Sequence, residues 1–179
     1  EKLANVSPAV LVVRSTKLPA AVIDSAGESL KVIIRAGSGY DSIDTGHAAS
    51  RGVAVCNCPG TNAVAVAELA IGHLIAVDRS LPQQDAALRA GRWEKGRFSK
   101  ARGLKGRSLL VIGTGAIGIE VIRRAQAFGM DVWAQSRSLT EQMAEAMDAH
   151  WIPFSRDALL EALPRFDAVS IHTPRNPLS

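Results

Sequence analysis

A glycine pattern between a β-rich run and a helical run constrains the fold of this sequence more than any other feature. The pattern is Gly113-Thr114-Gly115-Ala116-Ile117-Gly118, directly after an apolar run. In a strand–turn–helix unit of this kind, the first glycine allows a tight turn and the second lets a pyrophosphate approach the backbone. The third permits close packing of the helix on its strand, and the helix N-terminus offers free N–H groups. The pattern therefore predicts a dinucleotide site; the alternative is a glycine turn that binds nothing.

The end of the next predicted strand, residues 131–135, bears on which dinucleotide binds. A unit that binds NAD carries an acid about 20 residues beyond the glycines, where it accepts from the ribose 2′-hydroxyl. Here the strand is followed by Ser136, Arg137 and Ser138, without an acid. Two hydroxyls and a cation suit a 2′-phosphate, so we expect NADP(H) to be preferred over NAD(H). The alternatives are that Arg137 is simply exposed and that Ser138, three residues before Glu141, caps a helix.

Predicted strands and helices alternate along the chain, which is typical of parallel βα units and predicts an α/β fold. Strands are expected at residues 9–14, 31–35, 53–56, 109–112, 131–135, 150–153 and 168–172. Helices are expected after Pro19, from Asp44 to about residue 52, at residues 64–77 and 116–128, from residue 138, and at residues 157–163. The helix at 64–77 is apolar on all sides, which predicts complete burial. Residues 79–106 are charged and weakly periodic, which indicates a crossing between two structural units.

The positive charge of the chain is concentrated in one segment. The net charge is +4 over 179 residues, and residues 89–107 alone contain eight cations and one acid, so the remainder is slightly acidic. Such a segment suits either a surface that faces an anion, including nucleic acid, or a solvated connector. We favour the connector, because no nucleic-acid-binding motif accompanies the charge.

Other classes of protein find little support. The longest apolar run is too short to span a bilayer and contains Glu68 and His73, so no membrane partner is expected. Cys56 and Cys58 provide neither a disulfide framework nor the usual zinc spacing, so no metal site is expected. With two reduced thiols and no secretion leader, we expect a cytoplasmic protein. The motifs of serine hydrolases, P-loop proteins and zinc proteases do not occur.

Several segments, in order along nearly the whole chain, resemble the D-2-hydroxyacid dehydrogenase family, and most closely its D-3-phosphoglycerate dehydrogenase branch. They are residues 11–17 (LVVRSTK), 32–44 (VIIRAGSGYDSID), 57–60 (NCPG), 66–69 (VAEL), 91–93 (GRW), 113–118 and 172–174 (HTP). The resemblance implies two domains. Residues 1–58 would be part of a flavodoxin-like α/β substrate domain, and residues 59–179 would be the first half of a Rossmann-type doubly wound parallel sheet that binds the dinucleotide.

The resemblance also implies roles for individual residues. A loop containing Gly37, Ser38 and Gly39 would present its N–H groups to the substrate carboxylate; from the residues alone, an anion nest and a plain tight turn both stay open. Arg14 and Arg35 would serve a phosphate at the other end of the substrate, or are surface arginines at strand ends. The cofactor would be contacted by Ser38, Ala116, Ile117, Thr173 and Pro174, in addition to the glycines and the residues at 136–138.

The activity that the resemblance implies is hydride transfer between NAD(P)H and a 2-oxo or 2-hydroxy acid. The family's catalytic Arg, Glu and His follow the segment that resembles residues 168–174, so we expect them beyond Ser179 and none within this chain. Some family members act as dinucleotide-sensing corepressors, and a scaffold without turnover is the alternative. The helix from Val64 and the crossing at 79–106 resemble the family's dimer-forming region, so a homodimer is expected.

Overall fold

The chain forms two compact units, residues 1–62 and residues 63–179. The computed structural model describes residues 2–173, so Pro174 of the expected cofactor site lies outside the described residues. The sequence places the domain boundary between residues 58 and 59, and the two units divide four residues later.

Strands and helices alternate through both units, which confirms the α/β prediction. The strands are β1 (Val10–Val13), β2 (Val32–Arg35), β3 (Ala54–Asn57), β4 (Ser108–Ile112), β5 (Asp131–Gln135), β6 (His150–Trp151) and β7 (Ala168–Ile171). The helices are α1 (Lys2–Val6), α2 (Ala20–Ser25), α3 (Thr45–Ser50), α4 (Ala63–Arg79), α5 (Leu81–Arg89), α6 (Lys95–Phe98), α7 (Ala116–Ala127), α8 (Glu141–Glu145) and α9 (Arg156–Ala162), with a 3₁₀ turn at Leu163–Arg165. Over residues 2–173, none of the helices combines the length and apolar character needed to cross a bilayer.

The first unit contains a sheet of three parallel strands in the order β1-β2-β3. Its core includes Leu18, Ile23 and Ile33, which are almost completely buried. Asp44 caps α3 as predicted, because its carboxylate accepts a hydrogen bond of 2.9 Å from the His47 N–H. Since the strands are parallel, the loops that follow them emerge at one edge of the sheet, and the loop at residues 36–39 is one of these.

The second unit contains four parallel strands in the order β6-β5-β4-β7. The chain moves outward from β4 through β5 to β6, then returns to place β7 on the other side of β4. This is the 3-2-1-4 order of a doubly wound sheet, so the Rossmann-type prediction is confirmed. Leu109, Leu110 and Val111 are fully buried, as expected for a central parallel strand covered on both faces. The glycine pattern follows β4, at the point where the strand order reverses.

Asp167 holds β7 against β4 at the opposite edge of this sheet. Its carboxylate accepts hydrogen bonds from the Ser108 N–H at 3.0 Å and the Ser108 hydroxyl at 3.2 Å. The backbone bond from Ser108 is the main reason that the pKa of Asp167 lies below its ordinary value. Arg102 and Arg107 lie within 3.3 Å of the same carboxylate. The start of β7 is therefore fixed by a charged side chain as well as by the strand ladder.

The prediction that residues 64–77 form a completely buried helix is wrong in one respect. The helix α4 exists, but only Ala63, Ala67 and Ile71 are buried, a single stripe with a spacing of four residues. Leu69 and Val77 are 60% and 81% exposed. Ala67 and Ile71 of this stripe pack in the same core as α7, and a helix that packs on one face buries only that face.

Two further predictions about helices need correction. Ser138 does not open a helix: α8 begins three residues later, at Glu141, and the Thr140 hydroxyl caps it by accepting from the Met143 N–H at 3.3 Å. Leu139 is buried, so the chain turns inward before the helix starts. The crossing at residues 79–106 is also more regular than predicted, because it contains α5 and α6.

Candidate functional site

The glycine turn after β4 is fixed on both sides by neighbouring strands. The Gly113 N–H donates to the Gln135 carbonyl at the end of β5, at 2.8 Å. On the other side, a methyl group added at Gly113 would lie 2.6 Å from the His172 carbonyl oxygen, just beyond β7. Gly113 also has a backbone φ of +96°, a value that residues with a side chain rarely adopt. Only glycine satisfies both conditions here.

Gly118 brings α7 against this turn. The residue is buried, and a methyl group at this position would overlap the Gly113 carbonyl oxygen. Behind it, Val121, Ile122 and Ala125 pack in the core of the sheet. The roles predicted for the first and third glycines, a tight turn and close helix packing, therefore agree with the geometry.

The second glycine faces open space. Gly115 is the N-cap of α7, Gly115 and Ala116 are exposed, and a methyl group at Gly115 would meet no atom within 4 Å. Within the described part of the chain, the N–H groups of Gly115, Ala116 and Ile117 have no hydrogen-bond acceptor. These donors lie at the positive end of a 12-residue helix, which is the arrangement that binds phosphate groups in proteins. The residues present therefore fit a dinucleotide pyrophosphate.

The three residues predicted to recognise a 2′-phosphate lie together in a turn after β5. Ser136 is half-buried, and Arg137 and Ser138 are exposed. Because Thr140 rather than Ser138 caps α8, the Ser138 hydroxyl is not used as a helix cap. The Arg137 guanidinium carbon lies 5.8 Å from the centre of the Phe154 ring. The turn thus presents two hydroxyls and a cation next to each other in sequence and on the surface.

Of the residues expected to line the cofactor after β7, Thr173 lies beside the glycine turn. Its methyl carbon would be 3.0 Å from a methyl group at Gly113. The Nε2 of the preceding His172 lies 2.8 Å from the Ser170 hydroxyl. Partial burial lowers the pKa of His172 by disfavouring the charged form. The contact of His172 with Ser170 is structural.

The loop at residues 36–39 in the first unit is anchored through its carbonyl groups. Asn57 donates from its side-chain amide to the Ser38 carbonyl at 2.7 Å, and the Cys58 N–H donates to the Gly37 carbonyl at 3.0 Å. The Ser38 hydroxyl lies 3.2 Å from the Cys58 carbonyl and 2.9 Å from Asn62 Oδ1. Asn57 and Asn62 were not predicted as anchors of this loop. The only signal in the sequence is an amide side chain on each side of the segment Cys58-Pro59-Gly60-Thr61.

With their carbonyls engaged, residues of this loop leave N–H groups free. Among residues 2–173, neither the Ser38 N–H nor the Gly39 N–H has an acceptor. The Arg35 guanidinium packs against Gly37 so closely that a methyl group there would overlap it. Arg14 is exposed one residue beyond β1, whose last residue pairs with Arg35 in the sheet. Two unpaired amides beside an arginine are typical of a carboxylate-binding nest.

Much of the basic segment at residues 89–107 is neutralised by local ion pairs. The pairs are Arg89–Asp85 at 2.8 Å, Arg92–Glu94 at 3.0 Å, Arg97–Glu94 at 2.8 Å, Arg102–Asp167 at 3.3 Å and Arg107–Asp78 at 3.0 Å. The two arginines that donate to Glu94, Arg97 foremost, hold its pKa below the ordinary value. Five of the eight cations in the segment thus pair with four acids, which favours the connector interpretation.

The described residues contain no group of three His, Cys, Asp or Glu side chains arranged to hold a metal ion. Cys56 and Cys58 are free thiols, the first exposed and the second half-buried.

Comparison with known sequences gives close relatives of this chain. The D-3-phosphoglycerate dehydrogenase of Methanocaldococcus jannaschii is 41% identical over 169 residues, which are 94% of this chain and 31% of that protein. The hydroxypyruvate reductase of Thermotoga maritima is also 41% identical, over 92% of this chain and 51% of that protein. The chain thus spans 31% and 51% of the length of these two relatives.

Comparisons with solved structures and with family models indicate the same family as these relatives. The TT0316 protein of Thermus thermophilus superposes with a TM-score of 0.82 at 31% identity, over 99% of this chain and 55% of that one. The family model described as "D-isomer specific 2-hydroxyacid dehydrogenase, catalytic domain" matches residues 1–152. This chain belongs to the D-isomer-specific 2-hydroxyacid dehydrogenase family.

Proposed function

We propose that the protein containing this chain transfers a hydride between a nicotinamide dinucleotide and a 2-oxo or 2-hydroxy acid. In this proposal residues 63–179 bind the dinucleotide and residues 1–62 contribute to binding the acid. The observation that carries the proposal is the set of unpaired N–H groups at Gly115, Ala116 and Ile117, at the reversal of strand order. Ligands of open α/β sheets bind at such a switch point.

Each residue of the glycine turn has a defined part in this proposal. The Gly115, Ala116 and Ile117 amides would donate to the pyrophosphate, while Gly113 and Gly118 hold the turn and helix in place. Thr173 would contact the cofactor from the end of β7. When bound, the nicotinamide supplies or accepts the hydride. The protein's own contribution is to bind and orient the dinucleotide and the reacting acid.

NADP(H) is the preferred dinucleotide in our proposal. A 2′-phosphate carries negative charge that a carboxylate after β5 would repel, and this chain has Ser136 where that acid is expected. Arg137 is exposed and supplies a cation, and Ser138 has a hydroxyl that is not used as a helix cap. Charge-assisted hydrogen bonds to a phosphate are roughly twice as strong as neutral ones.

The experiment is a titration of the purified protein with NADPH and with NADH. NADPH binds more tightly in the proposed case, and Arg137→Glu weakens NADPH binding by at least tenfold while NADH binding changes little. Lys31→Glu, at an exposed position before β2, is the control for the change in net charge and should leave both affinities unaltered. Equal affinities for the two dinucleotides, unaffected by Arg137→Glu, would contradict the proposed preference.

The acid substrate is proposed to carry a second anionic group. Its carboxylate would accept from the Ser38 and Gly39 N–H groups, and Arg14 and Arg35 would face a phosphate at the other end. The relatives named D-3-phosphoglycerate dehydrogenase and hydroxypyruvate reductase support a short 2-oxo or 2-hydroxy acid. Arg14→Ala should raise KM for a phosphorylated three-carbon acid more than for its unphosphorylated analogue. The same KM change for both acids would rule out this role for Arg14.

The catalytic Arg, Glu and His are proposed to lie beyond Ser179. Turnover is therefore tested with the longest gene product that contains this sequence, assayed with NADPH and a series of 2-oxo acids. Oxidation of NADPH supports the dehydrogenase proposal. Tight dinucleotide binding without turnover of any 2-oxo acid, in a protein that contains the Arg, Glu and His, would instead favour the corepressor-like alternative.

We propose that two copies of the protein associate through the second unit. Leu69 and Val77 on α4, and Leu88 and Trp93 farther along the chain, are all at least 60% exposed. We propose that these exposed side chains contribute to one apolar patch, since contiguous apolar patches are characteristic of interfaces. Sedimentation should show a dimer, and Trp93→Asp should shift it towards the monomer; a monomeric wild-type protein would refute the proposal.

The free thiols Cys56 and Cys58 fit a reducing compartment, and we propose the cytoplasm.

A further inference from the structure

An exposed aromatic ring lies beside the turn that is proposed to recognise the 2′-phosphate. Phe154, in the loop between β6 and α9, is 55% exposed, and no role was predicted for it from the sequence. The Arg137 guanidinium carbon is 5.8 Å from the centre of its ring. This distance is within the range in which a ring attracts a cation through its electron-rich face. The contact joins two residues that are 17 positions apart in the sequence.

The backbone on both sides of Phe154 is held by one buried side chain. Gln135 is 2% exposed, the only fully buried polar residue in the part of the chain described here. Its side-chain amide donates to the Pro153 carbonyl at 2.7 Å and to the Ser155 carbonyl at 3.3 Å. The Ser155 hydroxyl in turn caps α9 by accepting from the Ala158 N–H. The loop is thus fixed before and after Phe154.

Gln135 also connects this loop to the rest of the site. It is the last residue of β5, so Ser136 and Arg137 follow it directly, and its carbonyl accepts from the Gly113 N–H. The backbone of Arg137 therefore follows Gln135 by two residues, and the backbone on both sides of Phe154 is hydrogen-bonded to the Gln135 side chain. This arrangement fixes the distance between the two side chains at their backbones.

From this geometry we propose that Phe154 is a positioning residue for Arg137 and so contributes to the preference for NADPH. The inference rests on the proposed role of Arg137. A free arginine side chain samples many rotamers and loses that freedom when it binds a phosphate, whereas a side chain already held on a ring loses less. For an exposed cation–π contact, the expected contribution is about two- to fivefold in affinity.

The test compares Phe154→Leu with Phe154→Tyr. Leucine keeps an apolar side chain without an aromatic face, and tyrosine keeps the face. Calorimetric titration with NADPH should show about two- to fivefold weaker binding for Phe154→Leu and unchanged binding for Phe154→Tyr. NADH affinity should be the same in all three proteins, which also shows that the dinucleotide site is still folded.

A second variant shows whether the effect passes through the arginine. In Arg137→Ala protein, the further change Phe154→Leu should not alter NADPH affinity, because no cation is left to position. Equal weakening of NADH and NADPH by Phe154→Leu, or the same loss with and without Arg137, would overturn the inference. If Arg137→Ala itself leaves the ratio of NADPH to NADH affinity unchanged, the proposed cofactor preference is wrong. If it lowers that ratio and Phe154→Leu does not, only the role of Phe154 is wrong.

Discussion

Replacing Gly118 by alanine tests whether the close approach of α7 to the glycine turn is essential. In an ordinary helix this change stabilises the protein by about 0.5–1 kcal/mol, because glycine loses more conformational entropy on folding. Here the added methyl would overlap the carbonyl oxygen of Gly113. That oxygen belongs to a backbone that is fixed by the Gly113 hydrogen bond to Gln135, so it cannot move away freely.

The expected net effect is destabilisation. Overpacking of a well-packed site costs about 1–3 kcal/mol, and a clash with fixed backbone places Gly118→Ala near the upper value. After subtraction of the helix-propensity gain, about 2 kcal/mol of destabilisation remains. For a chain of this size, that lowers Tm by about 4–8 °C. Thermal unfolding followed by circular dichroism measures the shift directly.

Gly115→Ala is the matched control for the same substitution. The methyl would meet no atom within 4 Å, and φ −74° suits any residue, so only the weaker N-cap preference of alanine applies, about 1 kcal/mol or less. Gly115→Ala should therefore melt near the wild type but bind NADPH weakly, because the methyl occupies the space proposed for the phosphates. A Tm for Gly118→Ala equal to or above that of the wild type would show that the turn can relax, and would refute the packing argument.

Three other predictions follow from individual contacts. Thr140→Ala should destabilise the protein by about 1 kcal/mol in denaturant unfolding, since it removes the cap of α8. Ser138→Ala should change stability by less than about 0.5 kcal/mol. If Ser138→Ala were the more destabilising change, Ser138 would be the cap after all. Because burial depresses the pKa of His172, the unfolded chain binds a proton first as pH falls below about 6.5, so stability declines until the folded residue also titrates. His172→Gln should make the urea midpoint less dependent on pH in that window, and an identical pH profile would contradict the assigned burial. Asn57→Ala removes the 2.7 Å anchor of the Ser38 carbonyl, so KM for the acid should rise more than KM for the dinucleotide, and a rise confined to the dinucleotide would place Asn57 elsewhere in the mechanism.

The fold follows from the sequence wherever a periodic pattern coincides with a turn signal. β5 has the predicted bounds, and Asp44 caps α3 as expected. The error at α4 has a different origin. An apolar composition shows that burial is favourable, but it does not say which neighbour covers each face, and α4 meets α7 on one side only.

The candidate site was predictable to the extent that it is local. The three glycines act within six residues of one another, so their spacing alone indicates a strand–turn–helix unit. The anchors of the loop at 36–39 are about 20 residues away from it, and the ring beside Arg137 is 17 residues away. Such contacts depend on how strands are arranged, and neither hydrophobic period nor turn chemistry encodes them. The predicted cap of α8 was wrong for a local reason. Ser138 and Thr140 can both act as caps, and the burial of Leu139 between them places the start of the helix after Thr140.

The strand pairing between β4 and β5 sets the distance between the two anion-binding parts of the dinucleotide site. Ile112 pairs with Gln135, and the next residues of the two strands begin the glycine turn and the turn that contains Arg137. The amides proposed to bind the pyrophosphate are therefore placed by the sheet, independently of the side chains at residues 136–138. Substitutions in that turn can change the charge offered to the ribose without moving Gly115 or Ala116. Arg137→Glu should therefore change the ratio of NADPH affinity to NADH affinity, while Gly115→Ala should lower both affinities. This difference separates the residues that determine specificity from those that bind either dinucleotide.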